Sequence, residues 1–142
     1  MEEYCLFSNK SIRKNHFFFA YLHNSKINKV NKMYTIKKRI EISAAHSLKT
    51  TYESQCNKLH GHNWIITISC RSKELNENGM VEDFTAIKSM LHRTLDHTYL
   101  NDVLPFNPTA ENIAKWICDQ IPTAFRVEVT ESENNTAIYE ED

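Results

Sequence analysis

The sequence predicts an α+β domain, in which a four-stranded antiparallel sheet carries two helices on one face. Two segments with alternating apolar and polar residues come first, two segments with helical spacing follow, and two alternating segments come last. This order, ββααββ, groups strands and helices instead of interleaving them, which is typical of an antiparallel sheet covered by helices on one side. The length of 142 residues is the usual size of a single domain.

The first strand is predicted to begin directly after Met33. Side chains of one parity are mainly apolar, with Lys38 as the exception, and those of the other parity are polar. The apolar set consists of Tyr34, Ile36, Ile40, Ile42 and Ala44. Because successive side chains of a strand point to opposite faces, this pattern indicates a strand with one buried face.

The other three strands are predicted from the same alternation. The segment HNWIITISC places Trp64, Ile66, Ile68 and Cys70 on one face, with Ile65 as the exception. Near the end of the chain, RVEVTE and TAIYE alternate on either side of the turn-like segment SENN.

Two helices are predicted between the strand pairs. In VEDFTAIKSMLHRTL the apolar residues recur at helical spacing, and Asp83 is suited to cap the first turn. In NPTAENIAKWICDQI an apolar stripe follows Pro108, which is suited to the first turn of a helix.

Composition excludes several classes of function. Only two glycines and three prolines are present, so neither a glycine-rich phosphate loop nor a long flexible linker is expected. The formal charge is −1 and no long block carries one sign, so neither nucleic acid nor a membrane is expected as a partner. The four cysteines lie far apart in the sequence, which fits a reducing compartment, and we expect a cytoplasmic protein.

Residues 1–32 differ in kind from residues 33–142. They carry six Lys/Arg against two Asp/Glu, and their apolar run FFFAYL is too short to cross a membrane. We expect an N-terminal extension over residues 1–32 that is disordered or loosely docked, and a single folded domain over residues 33–142. An upstream reading-frame artefact and an aromatic arm that docks on a neighbour are the alternatives.

Three histidines are predicted to meet at one end of the buried face. His60 and His62 are two residues apart on the second strand and therefore point the same way, with no side chain at Gly61 between them. His46 continues the apolar parity of the first strand. If the two strands pair, three imidazoles converge, as in a zinc site.

Two kinds of zinc site remain open on these residues. Cys56 precedes His60 by three intervening residues, a spacing that allows a structural site with four protein ligands. A catalytic site would use the three histidines and leave the fourth position to water or substrate. A histidine that is merely hydrogen-bonded in the core is the ordinary alternative to both.

Six segments resemble, in order, the family of 6-pyruvoyltetrahydropterin and 6-carboxytetrahydropterin synthases. The resemblance runs from about Met33 to Tyr139 and is carried by ISAAHSL, CNKLHGHNW, NGMVEDFTAIK, LDHTYLND, NPTAENIAKWI and VEVTESENNTAIY. It implies the tunnelling fold, in which copies of the chain assemble into trimers that stack as hexamers, with active sites between subunits.

The resemblance also implies roles for several side chains. It makes His46, His60 and His62 the zinc ligands and Cys56 the base that abstracts a proton. Asp96 and His97 correspond to the second acid/base element of the family. Because neighbouring side chains of a regular element point apart, Asp96 need not simply orient His97.

Glu131 and Thr109 are the predicted pterin contacts. Glu131 shares parity with Val127 and Val129, and a carboxylate on an apolar face is costly without a partner. The ring N–H and amino group of a pterin would be suitable donors, and the resemblance implies this contact and a part in the proton relay. For Thr109 the resemblance implies a pterin contact, whereas helix capping explains the residue equally well.

The implied activity is conversion of 7,8-dihydroneopterin triphosphate to 6-carboxy-5,6,7,8-tetrahydropterin, with release of acetaldehyde and triphosphate, in 7-deazapurine (queuosine) biosynthesis. The short spacing from Cys56 to His60 and the segment MVEDF resemble the 6-carboxy enzymes more than the animal-type 6-pyruvoyl enzymes. A 6-pyruvoyltetrahydropterin synthase and a non-catalytic zinc-stapled assembly module are the alternatives.

Overall fold

The computed structural model describes residues 32–142. Their elements, in chain order, are β1 (Tyr34–His46), a 3-10 turn (Gln55–Asn57), β2 (His60–Ser72), α1 (Phe84–Leu95), α2 (Leu100–Val103), α3 (Ala110–Asp119), β3 (Ala124–Ser132) and β4 (Asn135–Glu140). The predicted order of two strands, helices and two strands is confirmed. The single-turn helix α2 is an addition that the apolar pattern does not predict, because four residues are too few to show a helical period.

The four strands form one antiparallel sheet in the order β1-β2-β3-β4. β1 and β2 pair without interruption over their full length, from Tyr34 opposite Ser72 to His46 opposite His60. The pairing of β3 shifts register twice, against β2 near Cys70 and against β4 between Thr130 and Ser132. The end of β3 therefore has an irregular backbone, whereas the ends of β1 and β2 are regular.

The helices pack on one face of the sheet and form a single core with it. The predicted inward side chains of β1 are buried from Ile40 onward, whereas Tyr34 at the start of the strand is 50% exposed. The inward side chains of β2 and the inner sides of α1 and α3 are also buried; this core includes Ile40, Ile42, Trp64, Ile66, Ile68, Leu91, Leu95, Ile113, Ile117, Val127 and Val129. Lys38 is half-buried, and its ammonium lies 5.8 Å from the ring centre of Phe84. Its alkyl stem therefore covers apolar surface while its charge stays at the rim.

Side chains cap both long helices. The carboxylate of Asp83 accepts a hydrogen bond from the Thr85 amide at 2.7 Å, as predicted, and the Thr109 hydroxyl accepts one from the Asn112 amide at 3.3 Å. The prediction that Pro108 lies in the first turn of α3 is wrong, because the helix begins at Ala110. With Thr109 as the cap, the Pro108 carbonyl lies outside the helix and can accept a hydrogen bond from another element.

The segment after α1 runs along the free edge of β1. The His97 amide donates to the Ser43 carbonyl at 2.7 Å, and the Ala45 amide donates to the Thr98 carbonyl at 3.0 Å. These bonds satisfy part of an edge strand and fix the position of residues 97 and 98 against the last turn of β1.

No helix within residues 32–142 has the length and apolar character needed to span a membrane. The prediction for the N-terminal extension lies outside the described residues, except for Lys32.

Candidate metal centre and active site

The pairing of β1 with β2 brings the three predicted histidines together. His46 lies directly opposite His60, and Ala44 lies opposite His62. Because residues of the same parity share a face, all three imidazoles project from the core face at one end of the sheet. Their ring centres are 4.4 to 5.2 Å apart.

Backbone carbonyls orient two of the three rings. His46 Nδ1 lies 2.8 Å from the Pro108 carbonyl, and His60 Nδ1 lies 2.7 Å from the Lys58 carbonyl. A carbonyl can only accept, so each Nδ1 carries the hydrogen, and in the neutral ring the lone pair is on Nε2. The two Nε2 atoms are 3.0 Å apart and face each other. This is the outer hydrogen bonding that metal-binding histidines commonly have.

The third ring packs on the core and presents a buried polar atom. His62 lies edge-on to the Trp64 indole, with ring centres 5.2 Å apart. Its Nε2 is buried and has no hydrogen-bond partner among the described residues. A buried nitrogen without a partner is costly, so its position beside the other two Nε2 atoms calls for a cation.

Glu131 completes a group of four donors. Its Oε1 lies 3.3 Å from His46 Nε2 and 3.6 Å from His62 Nε2. One ligand atom from each of His46, His60, His62 and Glu131 lies within 4.8 Å of the others. The prediction that Glu131 points to the apolar face is confirmed, and its nearest charged or polar neighbours are these histidines.

Burial keeps two of the imidazoles neutral. Loss of solvation lowers the pKa of His46 below its ordinary value of 6.5; the neighbouring His60 also lowers it, and the Pro108 carbonyl opposes the change. Loss of solvation also lowers the pKa of His62. Neutral imidazoles are the form that binds a metal, so burial favours the metal-binding form of His46 and His62. The group is able to hold a divalent metal ion.

Cys56 lies outside this group. It is exposed in the 3-10 turn before β2, where its amide donates to Ser54 Oγ at 3.2 Å and its carbonyl accepts from the Leu48 amide at 2.8 Å. Within residues 32–142, the four-donor group contains Glu131 and no cysteine. Only three residues separate Cys56 from His60, so the thiol is tethered within ~10 Å of chain reach from a metal-site histidine.

Asp96 and His97 form a separate cluster against β1. Asp96 Oδ1 accepts from the Ser43 amide at 2.9 Å and lies 3.0 Å from His97 Nδ1. The sequence left open whether Asp96 orients its own neighbour; in the structure it contacts His97, whose φ of 57° departs from a regular element. The Ser43 amide is the main cause of a lowered pKa at Asp96, so the carboxylate is ionised at neutral pH.

Sequence reasoning missed His92 in this cluster. His92 Nδ1 lies 3.1 Å from Asp96 Oδ2, so the carboxylate has a histidine at each oxygen. The sequence contained a signal for this contact, because His92 and Asp96 are four residues apart, and that spacing places two side chains on the same side of a helix.

An open cleft of about 470 Å³ adjoins both polar clusters. His62, Gly61 and His97 are among the residues that line it. The His97 side chain is 82% exposed, whereas that of His46 is fully buried. Thr109 lies next to Pro108, whose carbonyl orients His46, and its hydroxyl oxygen caps α3.

The chain is similar to proteins of one enzyme family. The sequence profile described as "6-pyruvoyl tetrahydropterin synthase" matches residues 35–142. The 6-carboxy-5,6,7,8-tetrahydropterin synthase of Bacillus subtilis is 30% identical over 123 residues, covering 75% of this chain and 84% of the relative. A putative enzyme of the same name from Archaeoglobus fulgidus is 36% identical over 102 residues, covering 67% of this chain and 85% of the relative.

A solved structure agrees with the fold. The 6-pyruvoyl tetrahydropterin synthase of Caenorhabditis elegans superposes with a TM-score of 0.63 at 25% identity, covering 78% of this chain and 97% of that one. The profile match extends over most of the chain, from the start of β1 to the end of β4. The chain therefore belongs to the 6-pyruvoyl tetrahydropterin synthase family.

Proposed function

We propose that this protein converts 7,8-dihydroneopterin triphosphate to 6-carboxy-5,6,7,8-tetrahydropterin in the cytoplasm, as a step of 7-deazapurine (queuosine) biosynthesis. The observation that carries the proposal is the convergence of three imidazole Nε2 atoms and one carboxylate in a chain of this family. The names of the Bacillus subtilis and Archaeoglobus fulgidus relatives favour the 6-carboxy product. Atoms balance when one water is consumed and acetaldehyde and triphosphate leave.

His46, His60 and His62 would hold the metal, which we propose to be Zn²⁺. Three nitrogen donors are the ligand set of a catalytic zinc site, and the carbonyl contacts at two Nδ1 atoms fix the tautomer that such a site needs. When bound, Zn²⁺ supplies Lewis acidity toward the side-chain hydroxyls of the pterin.

Cys56 is the proposed base. Its thiol is exposed, and the turn that carries it is anchored to Ser54 and Leu48 on one side. On the other side the chain enters β2 at His60, whose ring is tied to the Lys58 carbonyl. The base therefore remains near the metal-binding end of the sheet without belonging to the ligand set.

Glu131 and Thr109 are the proposed pterin contacts. The closest approaches of Glu131 to His46 and His62 both use Oε1. A pterin edge with two N–H donors suits such a carboxylate. Thr109 caps α3 through its oxygen, and its O–H remains able to donate to the pterin.

Asp96 and His97 are the proposed second acid/base pair, supplied to each site by another copy of the chain. Two observations support this assignment. The His97 ring is 82% exposed, and neither residue belongs to the four-donor group. A trimer stacked into a hexamer is the assembly that we propose.

The decisive experiment is product identification. Protein loaded with zinc is incubated with 7,8-dihydroneopterin triphosphate, and the mixture is separated by chromatography with mass detection while acetaldehyde is trapped as a hydrazone. We expect 6-carboxytetrahydropterin and acetaldehyde in equal amounts. Accumulation of 6-pyruvoyltetrahydropterin without acetaldehyde would assign the protein to the 6-pyruvoyl reaction instead.

A further inference from the structure

Glu131 lies closer to the three histidines than a residue that contacts only the pterin needs to be. Both of its close contacts, with His46 at 3.3 Å and with His62 at 3.6 Å, use the same oxygen, Oε1. That oxygen is therefore close to two of the three imidazole Nε2 atoms.

Three of the donor separations are close to those of ligands around one small cation, and all four donor atoms lie within 4.8 Å of one another. In a tetrahedral zinc site with bonds of ~2.0–2.2 Å, neighbouring donor atoms are about 3.3–3.5 Å apart. The separations here are 3.0 Å between the Nε2 atoms of His46 and His60, and 3.3 and 3.6 Å from Oε1 to the Nε2 atoms of His46 and His62. A carboxylate that avoided the group would lie farther away.

The atoms that converge are acceptors. The Nδ1 atoms of His46 and His60 face carbonyls, so their Nε2 atoms carry lone pairs, and a carboxylate oxygen is also an acceptor. Acceptors at 3.0 Å, as between the Nε2 atoms of His46 and His60, or at 3.3 Å, as between His46 Nε2 and Glu131 Oε1, repel one another unless a cation lies between them.

The backbone of β3 explains how Glu131 reaches this position. Pairing with β2 is last seen at Thr130, and pairing with β4 skips from Thr130 to Ser132. Glu131 is therefore the residue at a β-bulge, and bulges are known to redirect a side chain near a site. A regular strand would continue straight along the sheet.

We propose that Glu131 Oε1 is the fourth metal ligand in the substrate-free protein, and that a pterin ring draws the carboxylate off the metal. The second half rests on the proposed function. A carboxylate that accepts two N–H bonds from the ring cannot keep Oε1 on the metal in the same geometry. Ring binding then opens the fourth position to the substrate side chain, and Glu131 couples substrate recognition to metal reactivity.

Metal affinity tests the first half without any pterin. Zn²⁺ is titrated into metal-free protein against a chelating indicator, for the wild type, Glu131→Gln and the control Glu133→Gln. Glu133 is exposed in the turn after β3, so the control removes the same charge nearby. We expect Glu131→Gln to weaken zinc binding by at least about ten-fold, since even partners outside the ligand set are worth that much, and Glu133→Gln to remain within two-fold, on the order of RT.

Equal zinc affinity of the wild type and Glu131→Gln would overturn the proposal. Glu131→Asp keeps the carboxylate on a shorter stem and serves as the second variant. Circular dichroism of all variants separates loss of a ligand from loss of the fold. If Glu131→Gln is unfolded, an unchanged Co²⁺ spectrum of folded Glu131→Asp relative to the wild type overturns the proposal, and an altered one supports it.

The second half is tested with a ring that has no side chain. Co²⁺ replaces zinc, and 7,8-dihydropterin, which carries only hydrogen at position 6, is added. It has no side-chain hydroxyl with which to bind the metal. We expect the visible Co²⁺ bands of the wild type to change on its addition and those of Glu131→Gln to remain constant.

The outcomes separate this inference from the proposed function. If Glu131→Gln loses pterin affinity while zinc affinity is unchanged, the pterin contact stands and the ligand role is wrong. If zinc affinity falls while the ring binds both proteins equally, Glu131 is a ligand and the exchange with the pterin is wrong.

Discussion

Two polar clusters lie against the same end of β1, and they differ in almost every physical property. The three-histidine group is on the core face, His46 is fully buried, and two rings are held by carbonyls of the same chain. The Asp96–His97 pair is on the free edge of β1, and the His97 ring is 82% exposed. The first cluster is assembled within one chain, whereas the second exposes the His97 ring to solvent, where a substrate or another subunit can contact it.

Only the first of the two clusters is complete within one chain. The four converging donors of the first cluster come from one chain, so the cluster is able to hold a metal ion without a second copy. The second cluster has an ionised carboxylate fixed by the Ser43 amide and a histidine that points into solvent. An exposed acid/base pair of this kind is accessible to a substrate or to a site on another copy of the chain.

The largest expected effect comes from His60→Ala, which removes a donor from the first cluster. We expect metal content and turnover to be lost together, with activity down by more than about 100-fold, because the site loses one of its three converging imidazoles and the geometry that they fix. Elemental analysis after gel filtration, together with the turnover assay, measures both. His97→Ala is the matched comparison, and it should lose turnover while keeping metal.

Full zinc occupancy in His60→Ala would contradict the ligand assignment. Loss of zinc in His97→Ala would contradict the separation of the two clusters. Removal of metal from the wild type by a chelator should leave the fold intact by circular dichroism, since the core of the sheet and helices does not include the metal site. Unfolding on chelation would instead favour a structural staple.

How far the sequence predicts this site follows from the kind of geometry involved. Strand parity predicted that His46, His60 and His62 would share a face, because the period of a strand is fixed at two residues. The uninterrupted register of β1 and β2 then placed them opposite one another. Local alternation was sufficient for this half of the site and for the order of the sheet.

Other features depend on backbone irregularities or on contacts between distant residues. The left-handed turn at His97 and the bulge at Glu131 have no period to reveal them, and neither position is a glycine. The carbonyl of Pro108 reaches His46 across 62 residues. Family resemblance pointed to His97, and strand parity together with the resemblance pointed to Glu131. Only the three-dimensional arrangement shows what the two side chains contact.

The next largest effect is expected for Cys56, which shares one property with each cluster. It is tethered by a short segment to His60 of the first cluster, and it is exposed like His97 of the second. We expect Cys56→Ala to keep stoichiometric zinc and lose turnover by about 100-fold or more, as expected for removal of a general base. Cys118→Ala, on the buried side of α3, is the matched cysteine control for the metal assay. Zinc loss in Cys56→Ala would mean that the thiol is a ligand.

A subunit-mixing experiment tests whether one active site uses Cys56 and His97 from two different subunits. Cys56→Ala and His97→Ala are each expected to be inactive, and subunits exchanged between them would form some sites with both groups intact. If each site takes Cys56 from one copy and His97 from its neighbour, an equal random mixture regains about a quarter of wild-type activity. A mixture with no activity, after mass spectrometry shows mixed oligomers, would place both groups in one chain.

The smallest expected effect is on stability, and it concerns the carboxylate of Asp96. Hydrogen bonding from the Ser43 amide lowers its pKa below the ordinary value of 3.8. A group with a lowered pKa in the folded state stabilises the fold above the unfolded-state value, and this contribution is lost as the pH falls through the folded-state value. Asp96→Asn keeps an oxygen that can accept from Ser43 and loses the charge, so we expect a cost of about 0.5–1 kcal/mol at pH 7.

The pH dependence distinguishes this electrostatic cause from altered packing. Urea unfolding of the wild type and Asp96→Asn at intervals from pH 7 down to pH 3 gives the difference in unfolding free energy. We expect the difference to persist at pH 5 and to shrink below about pH 4, where Asp96 becomes protonated first in the unfolded state and, at lower pH, in the folded state. A difference that stays constant down to pH 3 would show that the charge of Asp96 does not stabilise the fold. His97 would then be held by the Ser43 backbone bond and its left-handed turn alone.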